Sequence, residues 1–378
     1  MTSRRNWIAT GLAAGAFTTQ AEADLRNEFP IVRDEVCLNN AHWHPLSTGA
    51  QAAVNKYLDF KSHGFGVDAS LGMQMQKQVR DSFASLMGVK PTEIAYVPST
   101  MAGENIVLHG LNFPTGSNIV TDALHFEPSR ELYANSGIEL RMAQERDGRI
   151  PLEELEKRIN RNTRLVAISA VSMRNGFQHN LKAVCERAHA MGALVYADII
   201  QAAGAVPINL KDADVDFAAC ASYKWLMGDM GVGFLYIKEA LQGTVFKRSQ
   251  IGYRQQGATG AAALVEVGTI SNTTIAALTY SLPWLSRTGI DKIEAHRQPL
   301  LKKIQAELPS LGFTPMTPQD SPSPIVSFKR PNAMNLRPKL NAAKINIELY
   351  EDRVRIAPSV YNTMSDVEYL INALRKNS

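Results

Sequence analysis

The sequence predicts an α/β fold in which a mostly parallel sheet is flanked by helices and followed by a small C-terminal α+β domain. Between residues 94 and 237, short apolar runs alternate with segments of helical periodicity. Such alternation is typical of βαβ units, which build parallel sheets. From about Leu282 the pattern changes to long helices and a few short strands. The 378 residues suffice for one large domain and a smaller one.

The first predicted elements include an N-terminal arm, short strands and helical segments. Residues 24–38 form a predicted N-terminal arm, and VCLNNAHWHPLSTGAQAAVNKYLDF then gives a short strand, a turn at Pro45 and a helix. In QVRDSFASLMGV the side chains of Phe83, Leu86 and Met87 recur at helical spacing. IAYVPS has the composition of a strand, and TMAGENIVLHGL begins a helix.

The alternation continues to GVGFLYI and then gives way to the second domain. NIVTD, LRMAQE, RLVAISAV, ALVYAD and DFAACASY are predicted strands, with PLEELEKRI and LKAVCERAHAMG as helices between them. Later, WLSRTGIDKIEAHRQPLLKKIQAEL predicts one or two long helices, IVSFKR, KINIEL and RVRIAP predict strands, and DVEYLINAL predicts a closing helix. The Pro- and Ser-rich residues 314–324 predict a loop. We therefore place the large domain at residues 39–281 and the small domain at residues 282–378.

Composition argues against nucleic-acid and metal-binding functions. The formal charge is only +4 and no block of Lys and Arg is present. The three cysteines show no metal spacing, and their odd number excludes a fully paired disulfide set. Cys185 falls in a helical pattern and Cys220 in a buried strand, which favours core packing. His42 and His44 have metal-like spacing but no evident third ligand, so we predict no metal site.

Residues 1–23 resemble a twin-arginine export signal. SRRNWI, with Arg4 and Arg5, is followed by weakly apolar residues 9–17 and a small-residue cleavage site at residues 21–23. The apolar stretch is too short for a transmembrane helix, and no other segment predicts a membrane anchor. This pattern predicts a periplasmic protein that is exported folded. The alternative is a chance arginine pair in a cytoplasmic protein.

A carboxylate and a lysine follow two neighbouring predicted strands. LVYA ends in Asp198, and the apolar run FAACA is followed by Ser222, Tyr223 and Lys224. The carboxyl ends of adjacent strands are where α/β sheets bind their ligands. Pyridoxal phosphate (PLP) needs both groups, because the lysine forms a Schiff base with it and the carboxylate keeps its pyridine nitrogen protonated. Either residue alone would more often be an ordinary strand end or a surface lysine.

The surrounding motifs resemble the class V aminotransferase family of fold-type I PLP enzymes. ADIIQAAGAVPINL is similar to D-x-x-Q-x-x-G-x-x-P, and SYKWLMGDMGVGFLYI is similar to (H/Y)-K-W-L-x-G-P-x-G-x-G-x-L-Y. The resemblance runs from about Leu38 to the C-terminus. It implies a seven-stranded, mostly parallel sheet, PLP as the cofactor, and Lys224 and Asp198 as catalytic residues.

A phosphate cradle is implied by VPSTMAGEN, which is similar to the family's T-x-x-A-T-E-A-x-N. Ser99, Thr100 and Met101 then lie at a helix N-terminus, where backbone N–H groups bind anions. The usual Thr-Glu pair is replaced by Met101 and Ala102, which removes one side-chain donor but leaves backbone donation intact. The alternative is an ordinary serine cap without a ligand.

The resemblance also implies contacts around the cofactor ring. DALHFEPSRELY aligns with the family's E-H-H-A-N-x-x-P-W when Phe126 takes the stacking position, and a shift of one residue would give that position to His125. Gln201 matches the residue that hydrogen-bonds the phenolic oxygen of the ring. Ser222 matches a phosphate donor, and Ser172 fits the family's H-V-S.

A shared active site is implied by EVGTISNTT, which resembles the E-x-G-T segment that reaches the partner subunit's cofactor. Thr269 would be the donor, with Gly268 allowing close approach. The enzyme is therefore expected to be a homodimer.

Substrate contacts are implied at both ends of the chain. RVRIAPSVYNT is similar to the ending of kynureninase and isopenicillin N epimerase-like members, which places Arg355 on the substrate carboxylate as a two-pronged clamp. Arg353 lies two residues earlier and is a possible assistant. LNNAHWHPLS matches the family's L-(D/N)-N-A-x-x-x-P-L, which implies that Asn40 and His42 contact an amino acid or peptide-like substrate. A strand-edge ion pair is the alternative for Arg355.

These residues predict chemistry at the Cα of an amino-group substrate, of an aminotransferase or epimerase type. Exported members of the family include enzymes that tailor pyoverdine siderophores, which suggests maturation of a secreted peptide metabolite. Side-chain cleavage of a cysteine or selenocysteine lyase type is an alternative, and a non-catalytic PLP-binding module is another. No cysteine follows Cys220, which disfavours sulfur transfer through an enzyme persulfide.

Overall fold

The computed structural model describes residue 17, residues 19–64 and residues 70–375. Its strands are β1 (Val36–Cys37), β2 (Ile94–Val97), β3 (Asn118–Asp122), β4 (Glu139–Ala143), β5 (Thr163–Ser169), β6 (Leu194–Asp198), β7 (Phe217–Ala221), β8 (Gly233–Ile237), β9 (Thr314–Pro315), β10 (Val326–Lys329), β11 (Ile345–Asn346), β12 (Glu348–Leu349) and β13 (Arg353–Ile356). Its α-helices are α1 (Thr19–Asn27), α2 (Thr48–His63), α3 (Leu71–Met87), α4 (Thr100–Gly110), α5 (Glu127–Ala134), α6 (Leu152–Glu156), α7 (Leu181–His189), α8 (Gly260–Val265), α9 (Asn272–Thr288), α10 (Ile290–Glu307), α11 (Arg337–Ala342) and α12 (Met364–Arg375).

The large domain is built on a sheet with the order β2-β8-β7-β6-β5-β3-β4, which counts seven strands within the described residues. Only β8 is antiparallel to its neighbours, and the remaining pairs of adjacent strands are parallel. The predicted α/β fold with a mostly parallel sheet is confirmed. Since β2 and β7 both run opposite to β8, the carboxyl ends of β2, β3, β5, β6 and β7 lie at one edge.

Helix α4 packs closely against the middle of this sheet. Strands β2 and β7 are buried along their whole length, as apolar strands covered on both faces should be. A Cβ atom on Gly103 of α4 would lie 2.8 Å from the Cβ of Ala219, closer than real Cβ contacts permit. This glycine therefore lets the start of α4 approach the carboxyl ends of the strands.

The small domain contains the antiparallel sheet β12-β13-β10-β9 and its own apolar core, which includes Ile304, Phe328 and Leu370. The predicted loop at 314–324 is wrong at its first two residues. They form β9, because Pro315 pairs with Phe328 in the neighbouring strand.

The structure shows how the chain passes the domain boundary that was predicted at residues 281 and 282. Residue 282 lies inside α9, which packs against α2 and α3 of the large domain. The chain turns at Gly289, whose φ of 88° is unfavourable for other residues, and Ile293 of the next helix, α10, still packs in the large apolar core. The arm also belongs partly to the small domain, since β1 pairs with β11.

Two predictions concern the N-terminal residues, where the structure describes only part of the chain. Arg4 and Arg5 of the export motif lie outside the described residues. Residues 21–23, the expected cleavage site, lie within helix α1. In the part of the chain that the structure describes, no helix is long and apolar enough to cross a bilayer.

Candidate active site

One cavity lies at the carboxyl edge of the large sheet and collects side chains from five strand ends. It is lined by these predicted residues: Ser99, Thr100, Met101, Phe126, Asp198, Gln201 and Lys224. Ser169 and Tyr223 also line it. The strand order places β5, β6 and β7 side by side, so residues 169, 198 and 224 meet although they are far apart in sequence.

Lys224 provides a buried amine that is free of ion pairs. Only 9% of the residue is exposed, and among the described side chains none forms a hydrogen bond or salt bridge with Nζ. The centroid of the Tyr223 ring lies 5.6 Å from Nζ. Burial lowers the pKa of Lys224 to about 8, and the positive charge of Arg355 acts in the same direction. The amine is therefore a far better nucleophile and base near neutral pH than an ordinary lysine.

Asp198 ends β6 beside Ser169, its partner in the β5–β6 register. Its Oδ1 accepts a hydrogen bond from Ile200 N at 2.9 Å, and its Oδ2 lies 3.5 Å from Ser169 Oγ. Burial raises the pKa of Asp198 to about 6, and the negative charge of Glu104 adds to this rise. A cationic group bound against Asp198 would favour its charged form.

The N-terminus of α4 forms the predicted cradle. Ser99 caps the helix by accepting a hydrogen bond from Ala102 N at 3.1 Å. Thr100 Oγ1 accepts from Ala221 N at 2.9 Å, which leaves its hydroxyl hydrogen available for a ligand. The first N–H groups of a helix have no carbonyl partner within it, so they can bind an anion here.

The structure separates the two candidates for ring stacking. Phe126 lines the cavity, whereas His125 is buried outside it. The imidazole of His125 lies between Ser169 Oγ, 2.8 Å from Nδ1, and Glu104 Oε1, 3.0 Å from Nε2. His125 therefore lies behind Ser169, which separates it from Asp198. Stacking by Phe126 on the cofactor ring remains a prediction.

Gln201 lines the cavity with its amide group held on both sides. Nε2 donates to Ala41 O at 2.9 Å, and Oε1 accepts from Trp225 Nε1 at 2.8 Å. One N–H of the amide remains for a ligand atom, as the predicted contact with a phenolic oxygen requires.

Two predicted serine contacts are not brought into the cavity. Ser172 Oγ donates to Leu124 O at 2.9 Å, in the segment that follows β3. Ser222 Oγ lies 2.8 Å from the carbonyl oxygens of Asp229 and Val232. Each hydroxyl has a single hydrogen, and here it is directed at main-chain carbonyls. The structure therefore does not support cofactor contact by Ser172 or Ser222, both of which stay predictions, and Ser169 is the serine beside Asp198.

Arg355 is buried on β13 with an incompletely satisfied guanidinium. Its Nη1 donates to Met173 O at 3.3 Å and its Nη2 to Glu348 Oε2 at 3.4 Å, while Nε has no partner. Both bonds are long, and Met173 itself lines the cavity. An arginine held this loosely next to a cavity is suited to a carboxylate ligand.

The two other predicted substrate residues have different positions. His42 Nδ1 lies 2.8 Å from Glu348 Oε2, so it reaches Arg355 only through that carboxylate. Asn40 donates to Ala357 O at 2.9 Å and accepts from the Tyr361 hydroxyl at 2.6 Å. These bonds join Asn40 to the small domain, one N–H of its amide remains, and its substrate contact stays a prediction.

Gly268 and Thr269 line a different cavity, which adjoins α4 at Ala102 and Asn105. They do not reach Lys224 within one chain. Among the described residues, no group of three or more His, Cys, Asp and Glu side chains is arranged to hold a metal ion.

The chain belongs to the class V aminotransferase family, since the family model described as Aminotransferase class-V matches residues 50–370. An uncharacterized aminotransferase of Bacillus subtilis is 26% identical over 356 residues, covering 92% of this chain and 96% of the relative. A probable cysteine desulfurase of Methanothermobacter thermautotrophicus is 26% identical over 307 residues, covering 76% of each chain.

Solved structures show the same fold. The apo cysteine desulfurase of Thermococcus onnurineus matches with a TM-score of 0.85 at 24% identity, covering 94% of this chain and 97% of that one. A complex of the cystine C–S lyase C-DES with cysteine persulfide matches with a TM-score of 0.81 at 21% identity, covering 92% and 98%. The protein is a PLP-dependent enzyme of fold type I.

The cavity fits PLP by the chemistry of its donors. A free buried amine, a strand-end carboxylate and a helix N-terminus line one space. Lys224 would bind the aldehyde, Asp198 the pyridine nitrogen, and the backbone at Thr100 and Met101 the phosphate.

The pKa of Lys224 predicts how PLP loading depends on pH. Only the neutral amine attacks the aldehyde, so the rate of covalent loading of the apo-enzyme should rise through about pH 8 and level off above it. Stopped-flow absorbance at a series of pH values measures this midpoint. Arg355→Gln should move it upward, because the guanidinium charge lowers the pKa of Lys224. Arg355→Lys keeps the charge and is the matched control. A wild-type midpoint near that of an ordinary lysine would contradict the assignment.

Arg355→Lys should raise KM for the amino acid substrate by about ten- to a hundredfold, because an ammonium cannot make two parallel bonds to a carboxylate. The visible spectrum of the loaded enzyme and its melting temperature should barely change. Arg353→Lys is the matched control, since that guanidinium lies 3.7 Å from the Tyr350 ring and pairs with Asp352. A collapse of stability with Arg355→Lys would instead identify a structural ion pair.

Proposed function

We propose that this enzyme is a lyase that cleaves the Cβ–sulfur bond of cysteine, selenocysteine or a related amino acid and releases the leaving group directly. The observation that carries the proposal is the position of the cysteines. Cys37, Cys185 and Cys220 are all described and buried, and none lines the cavity of Lys224. Relatives named as cysteine desulfurases support cleavage at the side chain. Without a thiol in the cavity, sulfur would leave without a persulfide on the enzyme.

The residues at the cavity would have separate roles in such a reaction. PLP, when bound, supplies the electron sink. Arg355 holds the α-carboxylate and so orients the substrate, while Lys224 Nζ removes the proton from Cα. The lowered pKa of Lys224 makes the neutral base available near physiological pH. Sulfur then leaves from Cβ, and hydrolysis yields pyruvate and ammonia.

The test is a product assay with L-cysteine, L-cystine and L-selenocysteine. The proposal expects sulfide, persulfide or selenide together with pyruvate in equal amounts, from the wild type and not from Lys224→Ala. Alkylation of the enzyme thiols should leave the activity unchanged. Activity that is lost when Cys37, Cys185 and Cys220 are replaced together, in a folded variant, would contradict direct release. No products from any of the three amino acids would contradict the lyase proposal.

A second candidate is transfer of the amino group to a 2-oxo acid. It is supported by the relative named as an uncharacterized aminotransferase, which aligns with nearly the whole chain. In this candidate the substrate is an amino-group-bearing, peptide-like metabolite. Amino transfer from amino acids or peptides to labelled 2-oxoglutarate, without pyruvate or sulfide, would favour this candidate over the lyase.

We also propose a homodimer in which Gly268 and Thr269 complete the phosphate site of the partner subunit. Met230 and Ile251 support it, because these apolar side chains are 62% and 88% exposed and adjoin in sequence residues that line the same cavity as Thr269. Such exposed apolar groups mark interfaces. Light scattering should give twice the chain mass. A monomer that binds PLP with full affinity would contradict the shared site.

Export by the twin-arginine route remains a proposal supported by the SRRNWI motif. Replacement of Arg4 and Arg5 by Lys should retain the protein in the cytoplasm with its cofactor bound, because the pathway recognises the arginine pair and carries folded proteins. Fractionation of cells that express both forms measures this. Undiminished periplasmic recovery of the double variant would contradict the export signal.

A further inference from the structure

A chain of buried polar side chains leads from α4 to Asp198. It runs from Glu104 through His125 and Ser169, with contacts of 3.0 Å, 2.8 Å and 3.5 Å in that order. The side chains of Glu104 and His125 are completely buried. Burying an acid and an imidazole this deeply is costly unless each is paired, so a precise arrangement is required.

Glu104 is the fixed end of this chain. Besides His125, it accepts hydrogen bonds from the hydroxyls of Ser129, at 2.5 Å, and Tyr133, at 2.7 Å. A hydroxyl and an imidazole N–H are donors, and three donors directed at one carboxyl group match the acceptor-only chemistry of a carboxylate. The side chain therefore presents a negative charge to His125.

The single hydrogen of the Ser169 hydroxyl links the state of His125 to Asp198. When both ring nitrogens carry hydrogen, Nε2 donates to Glu104 and Nδ1 donates to Ser169, whose own hydrogen then points to Asp198. When Nδ1 is an acceptor, Ser169 must donate to it and has none left for Asp198. Burial lowers the pKa of His125, but the bond and charge of Glu104 outweigh it, so the pKa is raised overall.

We infer that Glu104, His125 and Ser169 are positioning residues that hold Asp198 as the charged partner of the pyridine nitrogen of PLP. Glu104 and His125 do not line the cavity, so they act through Ser169. The Ser169 hydroxyl points to Oδ2 over a long contact of 3.5 Å, and Ile200 N donates to Oδ1. Besides burial, the charge of Glu104 raises the pKa of Asp198, whereas the charge of His125, which Glu104 sustains, lowers it and favours the carboxylate. The inference concerns PLP binding and does not depend on which reaction the enzyme catalyses.

The test uses PLP labelled with nitrogen-15 in its pyridine ring, bound to the full-length enzyme. The chemical shift of this nitrogen reports whether it carries a proton. If Glu104, His125 and Ser169 only stabilised the fold, their replacement would leave this shift unchanged. Ser169→Ala and Glu104→Gln should each move the signal toward that of unprotonated pyridine and weaken the Kd for PLP by about tenfold. Thr121→Val is the matched control, because it also removes a buried hydroxyl. That hydroxyl donates to Ala167 O at 2.8 Å and takes no part in the contacts from Glu104 to Asp198.

The outcomes separate positioning from stability. An unchanged signal and Kd for PLP in Ser169→Ala would overturn the inference. An equal shift in Thr121→Val would also overturn it, because loss of any buried hydroxyl would then suffice. If Glu104→Gln fails to fold, the comparison of Ser169→Ala with Thr121→Val decides alone.

Discussion

Lys224→Ala should abolish the covalent attachment of PLP. It should also reduce turnover by about 10²- to 10⁴-fold, the usual effect of removing one general acid–base group. The amine is buried and unpaired, so its removal breaks no salt bridge among the described residues. The fold should therefore persist, because the cavity loses only a side chain without partners. Visible absorption, turnover and thermal unfolding measure the three expectations.

The control for this substitution is Lys182→Ala, at an exposed position in α7. It should keep both the spectrum and the turnover of the wild type. A Lys224→Ala enzyme that retains covalent PLP would show that another lysine forms the bond, whereas an unfolded variant would show that Lys224 is structural.

Asp198→Asn should keep PLP bound but lower turnover by at least about a hundredfold, or about 3 kcal/mol of barrier. An amide cannot hold a proton on the pyridine nitrogen by charge, so the electron sink is weakened. The hydrogen bond from Ile200 N can persist to the amide oxygen. Steady-state kinetics and a PLP titration separate loss of turnover from loss of binding.

Asp216→Asn is the matched control, because Asp216 is a buried carboxylate at the opposite edge of the sheet. Its partners are His189, at 2.7 Å, and Lys238, at 3.5 Å. That variant should lose stability without losing turnover per folded molecule. Near-normal turnover of Asp198→Asn would contradict the assignment of Asp198 to the pyridine nitrogen.

The sequence predicted those site residues that stand at the end of a local pattern. Asp198 and Lys224 each follow an apolar run, and Ser99 precedes a helix, so their placement at the carboxyl edge followed from strand and cap signals. The end of the strand–helix alternation near residue 282 did not reveal that helix α9 continues to Thr288.

Residues whose role depends on tertiary contacts were not predictable in this way. Glu104 looked like an ordinary helical position, and only its being the one carboxylate of helix α4 could have marked it. Ser169 ends β5 without any distinguishing signal, while Ser172 matched a motif but turns toward Leu124. Asn40 is bound by Tyr361, which is 321 residues away in sequence.

The most direct test of the account is borohydride reduction of the PLP-loaded enzyme followed by peptide mapping. Reduction makes the bond between cofactor and lysine permanent, so mass spectrometry identifies the residue. We expect a pyridoxyl group on Lys224, in the peptide that contains SYKWLMGDMG. A pyridoxyl group on any other lysine would contradict it.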